Sequence, residues 1–319
     1  MAHLATKRFT YWGQLGILIS LCGGGLVIGG LASFIPLLGK LDFFGKSNPT
    51  TLMDSILKPE NAAALRWSQV ISTIFLFFLP PVLYARICHI KAFSHLGLRN
   101  NLQEKKPALQ TILIQIVVII MIMMASMPAV SALQELTELL PWSKATLLQF
   151  QSAEDTYNKQ IAVIARMNNF NDYIISVVVV ALLPAIFEEI LFRGAIHGSY
   201  LGFLSRFALG FVLGWIFYRT SNIWYNIAGH FFNNAMALTV LYISSKPGEK
   251  IDPSKMEEHF PLWIGLASVA IVVGLFLVFE KISKNSTDRP GEEVLIPGYN
   301  FNNNPFENDI ASIGKNESS

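Results

Sequence analysis

Charge is what this sequence has least of. Only 14% of its 319 residues are charged, against 52% hydrophobic. Soluble domains carry roughly 25% charged residues, so the shortage excludes an ordinary water-soluble globule and points to a membrane protein. Cysteine is also scarce: Cys22 and Cys88 are the pair present, both in or beside apolar runs. They exclude a disulfide framework and a cysteine metal site, and leave the redox compartment unread. The net charge of +2 comes with no basic cluster interleaved with aromatics, which argues against a nucleic-acid partner. The basic N-terminus, MAHLATKRFTYWGQ, leads into an apolar run too long for a signal-peptide core and without a small-x-small cleavage site. It reads as a retained helix.

What is present is a series of long apolar runs. A bilayer core needs about 20 mostly apolar residues per helix, and residues 15–38, 65–87, 109–133, 173–192 and 261–279 supply them. Two further runs, 203–218 (short) and 223–243, are closely spaced. The expected class is therefore all-α, a polytopic membrane helix bundle of about seven crossings. The Gly25/Gly29 and Gly210/Gly214 pairs have the spacing that lets membrane helices pack closely, and occur equally in helices that use no such packing. Residues 134–171 are more polar and suit an amphipathic helix at an interface or outside the membrane, whereas 283–319 has the composition of a disordered tail. The chain thus divides into 1–108, N-terminal helices and a basic loop; 109–172, a third helix and the polar segment; 173–282, the chemical core; and the tail.

Lysine and arginine mark the cytoplasmic side. Lys7 and Arg8 place the N-terminus inside, and Arg86, Lys91, Arg99, Lys105 and Lys106 form a basic loop after the second helix. With about seven crossings the flank bearing Lys281, Lys284 and Arg289 falls outside, against the rule. One more crossing between Arg193 and Phe203 restores the parity, but the sequence has no residues there to build it.

Ionisable residues within the membrane mark function by default, because each is costly unless paired or wetted. Glu188, Glu189 and Arg193 lie at the end of the fourth run. Glu189 and Arg193, at i and i+4, share a face and can pair; Glu188 lies about 100° around the helix without a partner there. In the run WYNIAGHFFNNAMAL, His230 and Asn234 share a face, with Asn226 one turn earlier. The Glu188 carboxylate and this His/Asn face can satisfy one another across helices. A desolvated carboxylate can act as general base for water, and imidazole and carboxamide donors can stabilise the oxyanion formed on an attacked carbonyl.

These residues resemble the CPBP intramembrane proteases, the CAAX-processing and bacteriocin-processing endopeptidases. EEILFR matches the family's EExxxR motif, HFFNN its HxxxN motif, and RFALGFVLGWIFYRTSNIWYNIAGHFFNNA its glycine-rich helix, short turn and histidine helix. The resemblance covers residues 173–241. It implies about eight crossings and a membrane-embedded glutamate endopeptidase acting on membrane-associated peptides or lipidated protein tails in a bacterial plasma membrane. Glu188 would activate water, Glu189 and Arg193 would support the site, and His230 and Asn234 would bind the water or the oxyanion. No cofactor is required by the sequence. Members are sometimes described as metalloproteases, but no HExxH or other zinc motif is present here, which leaves a bound divalent metal open.

The family's further FxxxH motif sits on its own helix between these two. Here FRGA runs straight into IHGSYLGFLSRF, so His197 holds that histidine's place with Arg193, not Phe, four residues before it. On a continuous helix His197 would lie about 13 Å along the axis from Glu188, too far for both to hold one water. Three readings follow: an active endopeptidase, a catalytically impaired relative that binds peptide in immunity or signalling, and a small transporter relaying protons through Glu188 and His230. The last is weakest, since neither inverted repeats nor paired broken helices occur.

Overall fold

A computed structural model describes residues 9–38, 49–88, 108–192, 203–220, 222–244 and 260–286, and among them the chain is helical with no strand. Helix α1 (Tyr11–Ala32) runs into a 3-10 turn (Ile35–Leu37), and α2 (Pro49–Ile56) is short. A long helix follows in three pieces: α3 (Ala62–Thr73), a π turn (Ile74–Phe78) and α4 (Leu79–Cys88). Next come α5 (Leu109–Glu138) and the polar α6 (Lys144–Ile164). A second three-piece helix comprises α7 (Phe170–Ser176), a π turn (Val177–Leu182) and α8 (Leu183–Phe192). The chain closes with α9 (Phe203–Thr220), α10 (Ile223–Ser244) and α11 (Leu262–Ser286).

Five of these stretches are long and apolar enough to cross a membrane: Trp12–Leu37, Pro59–Cys88, Leu109–Thr137, Phe170–Leu191 and Leu262–Ser283. Phe207–Thr220 is apolar but shorter. Helix α10 has the length, and Asn226, His230, Asn233 and Asn234 dilute its hydropathy. The protein is an all-α polytopic membrane bundle. Helix α5 runs past its expected end at 133 because Gln134, Glu135 and Glu138 add a polar last turn to it. The polar segment then begins a new helix on a Ser143 cap, whose Oγ accepts from the Thr146 N–H.

Both π turns have the same cause. Proline has no N–H and its ring crowds the carbonyl four residues back. Pro80 and Pro81 follow the first π turn, and Pro184 follows the second. In each case the residue just ahead of proline bonds five residues back, Leu79 to the Ile74 carbonyl and Leu183 to the Val178 carbonyl. One extra residue per turn rotates everything downstream by about 100°, so the second π turn sets where Glu188 and Glu189 point.

Packing fixes the direction of each helix. Tyr84 of α4 bonds Gln14 of α1, and Ala85, Ile190, Ile223 and Ile227 form one cluster. The start of α1, the ends of α4 and α8 and the start of α10 therefore share one end of the bundle, the near end. Tyr225 donates to Gln115, and Gln115 Nε2 donates to Ser283 Oγ at 3.2 Å, which adds the start of α5 and the end of α11. At the far end Tyr173 pairs with Thr239 and stacks on Tyr242, and the Phe260 N–H reaches Ser131.

These directions correct the expectation that the C-terminal flank lies opposite the basic loop: Lys281 comes to the near end, together with Arg86 and Arg219. The reason lies in α9. The turn from Thr220 to Ile223 makes α9 antiparallel to α10, so α8 and α9 both run towards the near end. Ten residues, 193–202, separate them in sequence, enough for about 15 Å of helix, half of a hydrocarbon core of about 30 Å. The helices are arranged as if one more crossing stood between α8 and α9, in agreement with the charge parity of the sequence.

The two glycine pairs separate cleanly. A Cβ on Gly25 would lie 2.3 Å from the Phe75 carbonyl oxygen, and one on Gly29 2.6 Å from Phe75 Cβ. That pair lets α1 close on the first π turn, whereas nothing described lies within 4 Å of a Cβ on Gly210 or Gly214. Gly25→Leu is expected to cost about 1–3 kcal/mol through overpacking and to lower the thermal midpoint. Gly24→Leu, with nothing within 4 Å, is the control; equal midpoints for the two variants would contradict this packing.

Candidate active site

Helix α8 lays its last two turns against the first two turns of α10, antiparallel, with the Phe187 ring tilted against Phe78 behind it at 5.0 Å between centroids. The second π turn aims both glutamates of α8 at the histidine helix. Glu189 is buried, and Glu188 and His230 keep side-chain exposures of 12% and 16%. His230 Nδ1 lies 3.0 Å from Glu189 Oε1, a hydrogen bond, and Nε2 lies 3.9 Å from Glu188 Oε2, a charge contact. The imidazole is therefore held between two carboxylates, one at each ring nitrogen.

The second oxygen of Glu189 is occupied as well. Asn226 Nδ2 donates to Glu189 Oε2 at 3.2 Å and to the Leu213 carbonyl of α9 at 2.8 Å. One amide group thus ties α8, α9 and α10 together. Gly229 lets α5 and α9 close on α10 at this level, since a Cβ there would lie 3.0 Å from Ile119 and 3.2 Å from Leu213. Asn226 Oδ1, by contrast, is buried with no donor among the described residues, an omission that costs about 1–3 kcal/mol.

This differs from the expected pairing in one respect. The sequence suggested Glu189 with Arg193 and Glu188 with the His/Asn face; Glu188 does face His230, and Glu189 is hydrogen-bonded to the same ring. Glu188 and Glu189 are adjacent on α8, and the two ring nitrogens of His230 let one imidazole meet both carboxylates. Glu188, Glu189 and His230 are brought together. Asn234 lies one turn further towards the far end and accepts from Asn233 Nδ2 at 3.4 Å. Arg193 and His197 lie outside the described residues. Asn226, which the sequence placed one turn before His230, was given no role there; its backbone partner Leu213 left no trace in sequence.

The depth of the site follows from the six tryptophans, all exposed. Trp12, Trp215 and Trp224 lie towards the near end, and Trp67, Trp142 and Trp263 towards the far end, as two interfacial belts. Six residues separate Trp224 from His230, or about 9 Å along the helix. The carboxylates and imidazole therefore sit within the hydrocarbon layer, close to one face. Such a set can accept a proton from water at Glu188 and relay or hold one at His230. Among the described residues, no group of three or more His, Cys, Asp or Glu is arranged to hold a metal ion.

Comparison with known proteins gives one family. Residues 194–236 match the family model described as type II CAAX prenyl endopeptidase Rce1-like. The match takes in α9, Asn226, His230 and Asn234 and begins five residues after Glu189. No curated protein and no solved structure matches significantly. Residues 194–236 are thus similar to that family, and the described helices α8, α9 and α10 pack together around one buried polar cluster of Glu188, Glu189, Asn226 and His230.

Proposed function

We propose that this chain is an intramembrane endopeptidase that cleaves membrane-associated or lipidated peptides with a glutamate-activated water. The observation that carries the reading is the placement of Glu188 and Glu189 on the two nitrogens of His230, about 9 Å beneath an aromatic belt. Glu188 takes a proton from water as its oxygen adds to the scissile carbonyl. The tetrahedral oxyanion is met by donors on α10, His230 and Asn234, and the proton held at Glu188 passes to the departing amine as the C–N bond breaks. Glu189 holds His230 in place. Arg193 and His197 belong to this site by resemblance. The near end carries Arg86, Arg219 and Lys281, which supports a cytoplasmic near face and a cytoplasmic N-terminus in a bacterial plasma membrane.

A second reading is a catalytically impaired relative that retains peptide binding. It is favoured by one observation, the ten-residue connection where a further crossing is needed. A panel of lipidated and unlipidated peptides, presented to the purified protein in proteoliposomes, separates the two. The protease reading predicts cleavage by the native chain, loss of it in Glu188→Ala and His230→Ala, and a preference for membrane-anchored peptides. Background turnover in all three proteins, with peptide still bound, would establish the impaired relative.

A further inference from the structure

We infer that Asn226 is a positioning residue of this site: it sets the rotation of the Glu189 carboxylate and, through it, presents Nε2 of His230 to Glu188. The amide is 3% exposed, and both atoms within its reach, Glu189 Oε2 and the Leu213 carbonyl oxygen, are acceptors. Only the nitrogen end can face them, so the orientation of the amide is fixed. Its oxygen is left buried without a donor among the described residues. A residue chosen for helix packing alone would carry no such unmet oxygen; leucine, of similar volume, would fill the space without it. What asparagine adds is a planar donor pair that clamps a carboxylate to a helix backbone.

The chain of contacts gives the consequence. With Oε2 held by Asn226, Oε1 is aimed at His230 Nδ1 at 3.0 Å, and the ring can only turn Nε2 towards Glu188. Without the clamp the Glu189 carboxylate is free to rotate, and the imidazole loses its fixed orientation. The Leu213 contact extends the effect to α9, the helix that follows the 193–202 connection. Asn226 touches no reacting atom, and its role is exerted through Glu189.

The kinetic consequence rests on the hydrolytic reading above; the geometric one does not. In proteoliposome cleavage assays Asn226→Leu is expected to lower kcat by about 10–100-fold with KM within about twofold, since substrate contacts are untouched. The double variant Asn226→Leu/Glu189→Gln is expected to be no slower than Glu189→Gln alone, because the residues act as one unit. Multiplying effects in the double variant, or an unchanged kcat in Asn226→Leu, would overturn the inference. Should Asn226→Leu aggregate, Asn226→Ser, which keeps one donor, is expected to fall between native and Glu189→Gln. A readout independent of turnover is the ring-nitrogen NMR of 15N-histidine protein in nanodiscs, with His230 assigned by its loss in His230→Gln. A protected Nδ1–H resonance is expected in the native chain and in Glu188→Gln, and its loss in Asn226→Leu. If no peptide is cut but this resonance behaves as described, the protease reading fails and the positioning role stands; if it persists in Asn226→Leu, the positioning role fails.

Discussion

Glu188→Gln is expected to lower turnover by about 10²–10⁴-fold, the range for removal of a general base, and Glu189→Gln by about 10–100-fold, the range for loss of an orienting group. The two glutamates are neighbours in sequence and equivalent in the EExxxR pattern, but their surroundings differ. Both oxygens of Glu189 are engaged, one by His230 and one by Asn226, and a carboxylate so occupied is poorly placed to take a proton from water. Glu188 faces the other ring nitrogen at 3.9 Å, beyond hydrogen-bond length, where a reacting group can enter. Steady-state kinetics of both variants in the same lipid decide the assignment. A larger loss in Glu189→Gln than in Glu188→Gln would reverse the roles.

The second large effect concerns stability and lies at the other end of the bundle. Arg66, on α3, is buried and serves as a latch. Its Nε donates to the Ile164 carbonyl at 2.9 Å, its Nη2 to the Arg166 carbonyl and to Ser176 Oγ, and its Nη1 lies 3.7 Å from Asp172. The first two acceptors are carbonyls at the C-terminal end of α6, where a helix has no internal donors left and its dipole favours a cation. One guanidinium therefore docks α6 and α7 on α3, in a fork geometry that lysine cannot reproduce. Arg66→Met strands two carbonyls at the end of α6 and is expected to cost about 2–5 kcal/mol, read as a large fall in thermal midpoint. Arg66→Lys should recover only part of it. Lys159→Ala, on the exposed face of α6, should leave the midpoint unchanged; an Arg66→Met protein that melts like the native chain would remove the latch.

How much of this was legible beforehand depends on the physics of each feature. The apolar runs fixed the helices to within a few residues, because a bilayer accepts little else, and the ends were missed only where polar turns such as Glu135–Glu138 prolong a helix beyond the lipid. The glutamate pair and His230 stood out because charge in such surroundings needs a reason. That one imidazole meets both glutamates did not follow, because it depends on how α8 packs against α10. Arg66 gave no signal in the sequence, since its partners lie about a hundred residues away and two of them are backbone carbonyls. The most unusual feature, two successive helices running the same way across a ten-residue connection, was visible from both sides. Charge parity demanded a crossing, and the ion pair of Arg219 with Glu280 at 3.0 Å and the bonds of Gln115 with Tyr225 and Ser283 place the helices accordingly.

The central claim is that this polar cluster hydrolyses a peptide bond. Single-turnover incubation of purified, reconstituted protein with a membrane-anchored peptide in H₂¹⁸O, followed by mass spectrometry of products and protein, tests it most directly. The account predicts one ¹⁸O in the new C-terminal carboxylate, none in Glu188, and intact peptide with Glu188→Gln. Intact peptide with the native chain, or equal cleavage by native and Glu188→Gln proteins, would contradict it.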